Sequence, residues 1–201
     1  MSFSTGYRGT VGGAVQTSYT DQPGAGVAGM LAFASDINLV DAVHIGEPDG
    51  IAAGRGVVYE NVDSTLNHSM QRPDVAAKLP ELGTTIDQFK GILVFDERMN
   101  SNSNGIPGWA DGRVGRVLRN NRSGGRIYVS CPLTVNVGDS VWMQLVADAD
   151  YQPGEFRPTA GATPANVLAI PNAQWVITTI VPAIVPEVEN PPAIAMIELL
   201  G

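Results

Sequence analysis

The residues best equipped for chemistry in this chain are one cysteine, two histidines and a few closely spaced carboxylates. Cys131 sits in Tyr128-Val129-Ser130-Cys131-Pro132, a setting that reads as a buried strand. A thiol nucleophile needs a positioned base, and both histidines lie far off in sequence. As the single cysteine, Cys131 has no partner for an internal disulfide. His44 and Glu47 have an H-x-x-E spacing that would put two metal ligands on one face of a helix, but Gly46, Pro48 and Gly50 exclude a helix there. His68 lies in a polar stretch well beyond that pair. Asp96-Glu97 and Asp148 with Asp150 are close carboxylates, yet nothing beside them supplies the apolar pocket that would raise one pKa and make an acid-base pair. Gly24-Ala25-Gly26-Val27-Ala28-Gly29 has the spacing of a dinucleotide loop, but the polar, proline-broken Tyr19 to Pro23 precedes it where a buried strand should stand. No G-x-S-x-G elbow is present. The expected protein has no catalytic residues, no cofactor and no metal.

What remains is suited to contact. Residues 112–138 carry Arg113, Arg116, Arg119, Arg122 and Arg126 without an acid, while the chain from Pro158 onward carries three acids and no base. The arginines read either as a solvated surface or as a patch for an acidic protein surface, and the opposite polarity of the two segments would let one molecule meet the next. Stacking aromatics between the arginines are missing and the net charge is −8, so nucleic acid is not an expected partner. No apolar run is long enough to span a membrane, and no signal-peptide pattern opens the chain. The first thirty residues are rich in Gly, Ser and Thr, with Phe3, Tyr7, Val11, Val15 and Tyr19 at every fourth position. So many glycines disfavour a helix, and an extended arm over residues 1–29 is the expectation, reaching about 100 Å when stretched. Its spaced apolar side chains have nothing of their own to pack on, so they call for a partner surface.

Elements must hold these groups in place, and composition points to strands. Only 16% of residues are charged, and 23 glycines and 14 prolines supply turns. Residues 57–62, 90–95, 126–130, 133–137, 140–147, 174–181 and 193–200 read as strands, with Val141, Met143 and Leu145 on one face and Trp142 and Gln144 on the other. Residues 99–105 read as an exposed loop and residues 73–79 as a short helix opened by Pro73 and stopped by Pro80. The expected fold is all-β: a compact antiparallel barrel or sandwich over residues 30–201, with the N-terminal arm and at most one or two short helices.

Several segments carry a family likeness. Gln16-Thr17, Gln22-Pro23-Gly24 and Gly26-Val27-Ala28-Gly29-Met30-Leu31-Ala32 are followed by Phe89-Lys90-Gly91-Ile92-Leu93-Val94, Val137-Gly138-Asp139-Ser140-Val141-Trp142 and Gly154-Glu155-Phe156-Arg157. Ile170-Pro171-Asn172-Ala173-Gln174-Trp175 and Ala195-Met196-Ile197-Glu198-Leu199 close the series. Together they resemble the structural cement (capsid decoration) proteins of tailed bacteriophages. Ser140 stands where that family usually has proline, and residues 181–192 are richer in proline than its pattern. The resemblance implies a virion protein, made in the host cytoplasm and placed on the outside of the head. It would act there as a homotrimer that clamps neighbouring major capsid subunits against the pressure of packaged DNA. The arm apolar residues and the arginine stretch would then be the capsid contacts. The alternative is a non-catalytic carbohydrate- or receptor-binding β-module of a virion, for which Trp109, Trp142 and Trp175 would have to share a face.

Overall fold

The structure is a computed structural model and describes residues 28–32, 40–59, 76–96, 108–119, 124–180 and 194–200. Twelve strands are found among them: β1 (Val40–Ile45), β2 (Ile51–Ala52), β3 (Gly56–Tyr59), β4 (Ala76–Lys78), β5 (Phe89–Leu93), β6 (Gly108–Trp109), β7 (Val114–Arg119), β8 (Gly125–Ser130), β9 (Ser140–Gln144), β10 (Phe156–Arg157), β11 (Val167–Ile180) and β12 (Ile194–Leu199). Helix is limited in these residues to two 3-10 turns, Ile86–Gln88 and Pro164–Asn166. The protein is all-β, as its composition and turn chemistry predict.

Five strands close a small barrel in the order β1-β4-β3-β5-β7, and five more form an antiparallel sheet in the order β10-β9-β11-β12-β8. The barrel interior is filled by Val43, Ile45, Val57, Ala77, Leu93 and Val117, to which the paired β2 and β6 add Ile51 and Trp109. The barrel's outer face meets the sheet across the main core. There Val58, Phe89, Ile92 and Leu118 pack with Ile127, Val129, Met143, Phe156, Trp175 and Ile197. Each fully buried large side chain of this kind contributes about 1.5–3 kcal/mol relative to exposure. Strands β3, β5 and β7 are thus buried on both faces: Val57, Leu93 and Val117 point in, while Val58, Ile92 and Leu118 point out to the sheet. Two-sided burial is why Val57-Val58 of β3 and Ile92-Leu93 of β5 are consecutive apolar residues.

Two expectations are corrected. Residues 73–79 were expected to be helical, but Ala76–Lys78 form a strand that pairs with β1 in parallel (His44 with Ala76) and with β3 antiparallel (Val58 with Lys78). Ala77 is wholly buried inside the barrel, and closing the barrel outweighs the helix preference of Ala-Ala-Lys. Residues 133–137 were expected to be a strand and form a loop instead. Leu133 and Val137 are exposed, and the Asp139 carboxylate accepts from the Asn136 N–H at 2.9 Å, closing a turn in place of a ladder. Strand β11 starts earlier than the sequence suggests, passing through Pro171. Proline is accommodated there because the pairing with β9 slips between Ala169 and Gln174.

Candidate functional site

Among the described residues, none of the side chains equipped for chemistry is set up for it. Cys131 is fully buried, its thiol hydrogen-bonded to the Leu133 carbonyl at 3.3 Å. Burial pushes the thiol up to about 11, more than that hydrogen bond, Tyr151 and Arg157 pull it down. The folded chain therefore favours the neutral thiol; this contribution to stability is complete below the ordinary value of 9.0 and is lost as pH rises through about 11. Alkylation of Cys131 near neutral pH is expected to follow global unfolding: slow in the native protein, fast in urea. Equal rates in the two states would show an accessible thiolate and overturn this placement.

His44 lies exposed on β1, and Glu47 beyond the strand accepts the Leu79 N–H at 3.4 Å, so the two do not converge on a metal. Among the described residues no three of His, Cys, Asp and Glu are grouped to hold an ion. A cavity of about 560 Å³ lies beside Glu47, Lys78, Glu81 and Gln88, without a nucleophile-base pair in its lining. Asp96 is paired with Arg116 at 3.4 Å. Asp148 accepts from the N–H groups of Asp150 at 3.0 Å and Tyr151 at 2.8 Å, and from Arg157 at 3.2 Å. Burial opposes ionisation of Asp148, but those N–H groups and the guanidinium together hold its carboxyl below the ordinary value.

Asp148 belongs to a polar clamp that sequence reading missed. Gln144, wholly buried at the end of β9, accepts from Arg157 at 2.9 Å and donates to the Val146 carbonyl at 2.6 Å, while the Arg157 guanidinium lies over the Tyr151 ring at 4.7 Å. The same loop grips the barrel. Gly56 donates to the Gly154 carbonyl at 2.7 Å, and Arg55 faces Glu155 at 3.6 Å and the Pro153 carbonyl at 3.4 Å. Burial raises the Glu155 carboxyl and lowers the Arg55 guanidinium, each partly offset by the other's charge. The signal available beforehand was only the cluster of polar residues within Gly154 to Arg157; their partner Arg55 stands 98 residues before Pro153.

Three of the described arginines of the stretch are paired with acids. Arg116 pairs with Asp96, Arg119 with Asp41, and Arg126 with Glu198 at 3.4 Å. Arg113 is exposed, and Arg122 lies outside the described residues. Arg126 of the basic segment and Glu198 of the acidic segment thus pair within one chain. Phe3, Tyr7, Val11, Val15 and Tyr19 also lie outside the described residues, as do residues 99–105 and His68. The tryptophans do not share an open face. Trp109 and Trp175 are buried, their indole N–H groups donating to the carbonyls of Val94 and Ser140, both at 3.1 Å.

Residues 28–32 lie where the barrel and the sheet come together. Gly29 donates to the Tyr128 carbonyl of β8 at 2.7 Å, and its own carbonyl accepts from Phe95, just past β5, at 2.7 Å. Two of the segments that carry the family likeness, residues 137–142 and 170–175, also meet. Gly138 donates to the Trp175 carbonyl at 2.9 Å while the Trp175 indole returns to Ser140, locking β9 to β11. These motifs hold the body together; they form no catalytic constellation among the described residues.

Comparison with known proteins agrees with this picture. A family described as structural cement protein (E217 gp24/Pam3 gp6) matches residues 15–199. Among solved structures, the chain is similar to one from the capsid of Myoviridae phage XM1, with a TM-score of 0.56 and 14% identity over 92% of this chain and 96% of that one. At that identity the likeness is one of fold. No curated protein matches the chain. The family match takes in nearly all of the chain from residue 15 onward, and the chain belongs to the phage structural cement proteins.

Proposed function

We propose that this protein binds the outer surface of a phage head where neighbouring major capsid subunits meet, acts there as a homotrimer, and stabilises the head against the pressure of packaged DNA. The observation that carries this reading is the cement-family match across residues 15–199. The placement of the polar side chains supports it. The buried and half-buried ones join barrel, loop and sheet, which suits a rigid body that bears load and performs no reaction. Attachment is multivalent: each protomer adds an arm and a body contact, and modest affinities combine. The arm contacts are Phe3, Tyr7, Val11, Val15 and Tyr19, docking in capsid grooves or along an exposed strand. Arg113 is the exposed one among the described arginines of the stretch, which suits it to meet an acidic capsid surface.

The test is co-sedimentation of the purified protein with expanded, undecorated heads, followed by urea challenge. Saturable binding that raises the heads' resistance is the expected result, and absence of binding to intact heads discards the proposal. Replacing the five arm residues by serine is expected to leave the body's melting transition unchanged and to weaken head binding by about 10²-fold or more, the share that avidity supplies. Undiminished binding would remove the arm from the contact set.

A further inference from the structure

We infer that residues 28–32 are a strap of the body: they add a strand to the open edge of β8 and, through Gly29, rivet barrel to sheet, so the chain before Ala28 departs from one fixed point. Strand β8 ends the sheet order β10-β9-β11-β12-β8 and would otherwise expose unpaired backbone groups to any passing strand. Residues 28–32 cover that edge. Leu31 bridges Ile127 antiparallel, Tyr128 donates to the Met30 carbonyl at 2.9 Å, and Ala32 donates to the Arg126 carbonyl at 2.9 Å. Leu31 packs against the main core, while Ala28 and Ala32 pack against Tyr128, Ile194 and Met196 on the other side of the sheet.

Gly29 is the rivet because it touches both layers at once. Its backbone is left-handed, with φ of 84°, and a Cβ at this position would lie 2.7 Å from the Ala53 Cβ and 2.8 Å from the backbone nitrogens of Gly54 and Phe95. Only a residue without a side chain enters the crevice between the β2–β3 turn, the end of β5 and strand β8. A load travelling along the arm would reach the strap as shear on strand hydrogen bonds and be shared between barrel and sheet. This mechanical role rests on the arm reading proposed above; the strap itself does not.

Hydrogen exchange on the full-length protein separates the two. The amides of Gly29, Ala32, Tyr128 and Phe95 are expected to be protected to nearly the level of Ala195 and Ile197 in β12. Exchange of Gly29 and Ala32 at unfolded-peptide rates, with β12 still protected, would overturn the strap. In the full-length Gly29→Ala variant, protection at Phe95 and Tyr128 is expected to fall by about tenfold or more while β11 and β12 keep theirs. Unchanged protection at Phe95 would overturn the role of Gly29. Head binding by Gly29→Ala is expected to weaken although all five arm apolar residues are intact; full binding alongside lost protection would overturn the fixed exit. Protected amides in a wild-type protein that fails to bind heads would leave the strap standing and sink the capsid reading alone.

Discussion

Trp175→Ala is expected to lower the unfolding free energy by about 3–5 kcal/mol, read as a shift of the urea midpoint at constant slope. The indole is fully buried in the layer between barrel and sheet, so its loss leaves a cavity walled by close-packed neighbours from both. It also removes the donor to the Ser140 carbonyl at 3.1 Å, beside the turn that Gly138 closes by donating to Trp175. Trp175→Phe separates these contributions. It retains most of the apolar volume and removes the indole donor, for an expected cost of roughly 1–3 kcal/mol. A Trp175→Ala loss below about 1 kcal/mol would place this side chain outside the core.

The second large effect is expected at Gly91, in the middle of β5, which pairs with Val57 of β3 on one side and Arg119 of β7 on the other. Its φ is 146°, and a Cβ built there would overlap the Leu118 carbonyl oxygen. Because the obstacle is backbone in a strand bonded on both sides, it has no rotamer by which to yield. Gly91→Ala must instead part β5 from β7 and open the barrel, at an expected cost of about 3 kcal/mol or more. Its neighbour offers a contrast. Lys90→Ala gives up an ion pair with Asp41 at 3.9 Å and a cation–π contact with Tyr59 at 4.4 Å, both partly solvated. That change is expected to stay within about 1 kcal/mol. Denaturation midpoints for the two variants decide the matter, and a Gly91→Ala protein as stable as wild type would show that β5 and β7 are not joined as described.

These two positions also mark where the sequence was readable and where it was not. The apolar run around Gly91 announced a strand because β5 is covered on both faces, and the alternation of Val141, Met143 and Leu145 announced β9 because one of its faces meets the core. Gln144, on the opposite face, is buried all the same, because the clamp to Arg157 and Asp148 covers it. Strand β4 gave no such sign. Ala-Ala-Lys has a local preference for helix, and only β1 and β3, brought alongside by the barrel, make it a strand. At the candidate site, the types of the arginines were plain but their partners were not. Arg126 meets Glu198 across 72 positions of sequence, a pairing set by the register of β8 against β12 and not by any local spacing. Phe3, Tyr7, Val11, Val15 and Tyr19, read as side chains without an internal surface to cover, lie outside the described residues, and nothing in the spacing of Gly24 to Gly29 announced the left-handed conformation of Gly29.

The burial of Cys131 has a consequence for the life history of such a particle. On the proposed route, the protein is made in a reducing cytosol, placed on a head, and released by lysis into oxygenated medium. An accessible thiol would meet that change by forming sulfenic acid or by cross-linking one particle to another. The only cysteine of this chain is sealed in the core as a neutral thiol. On that route the protein would therefore form no cysteine cross-link and no sulfenic acid when it leaves the cell, and its thiol would be the same on both sides of lysis.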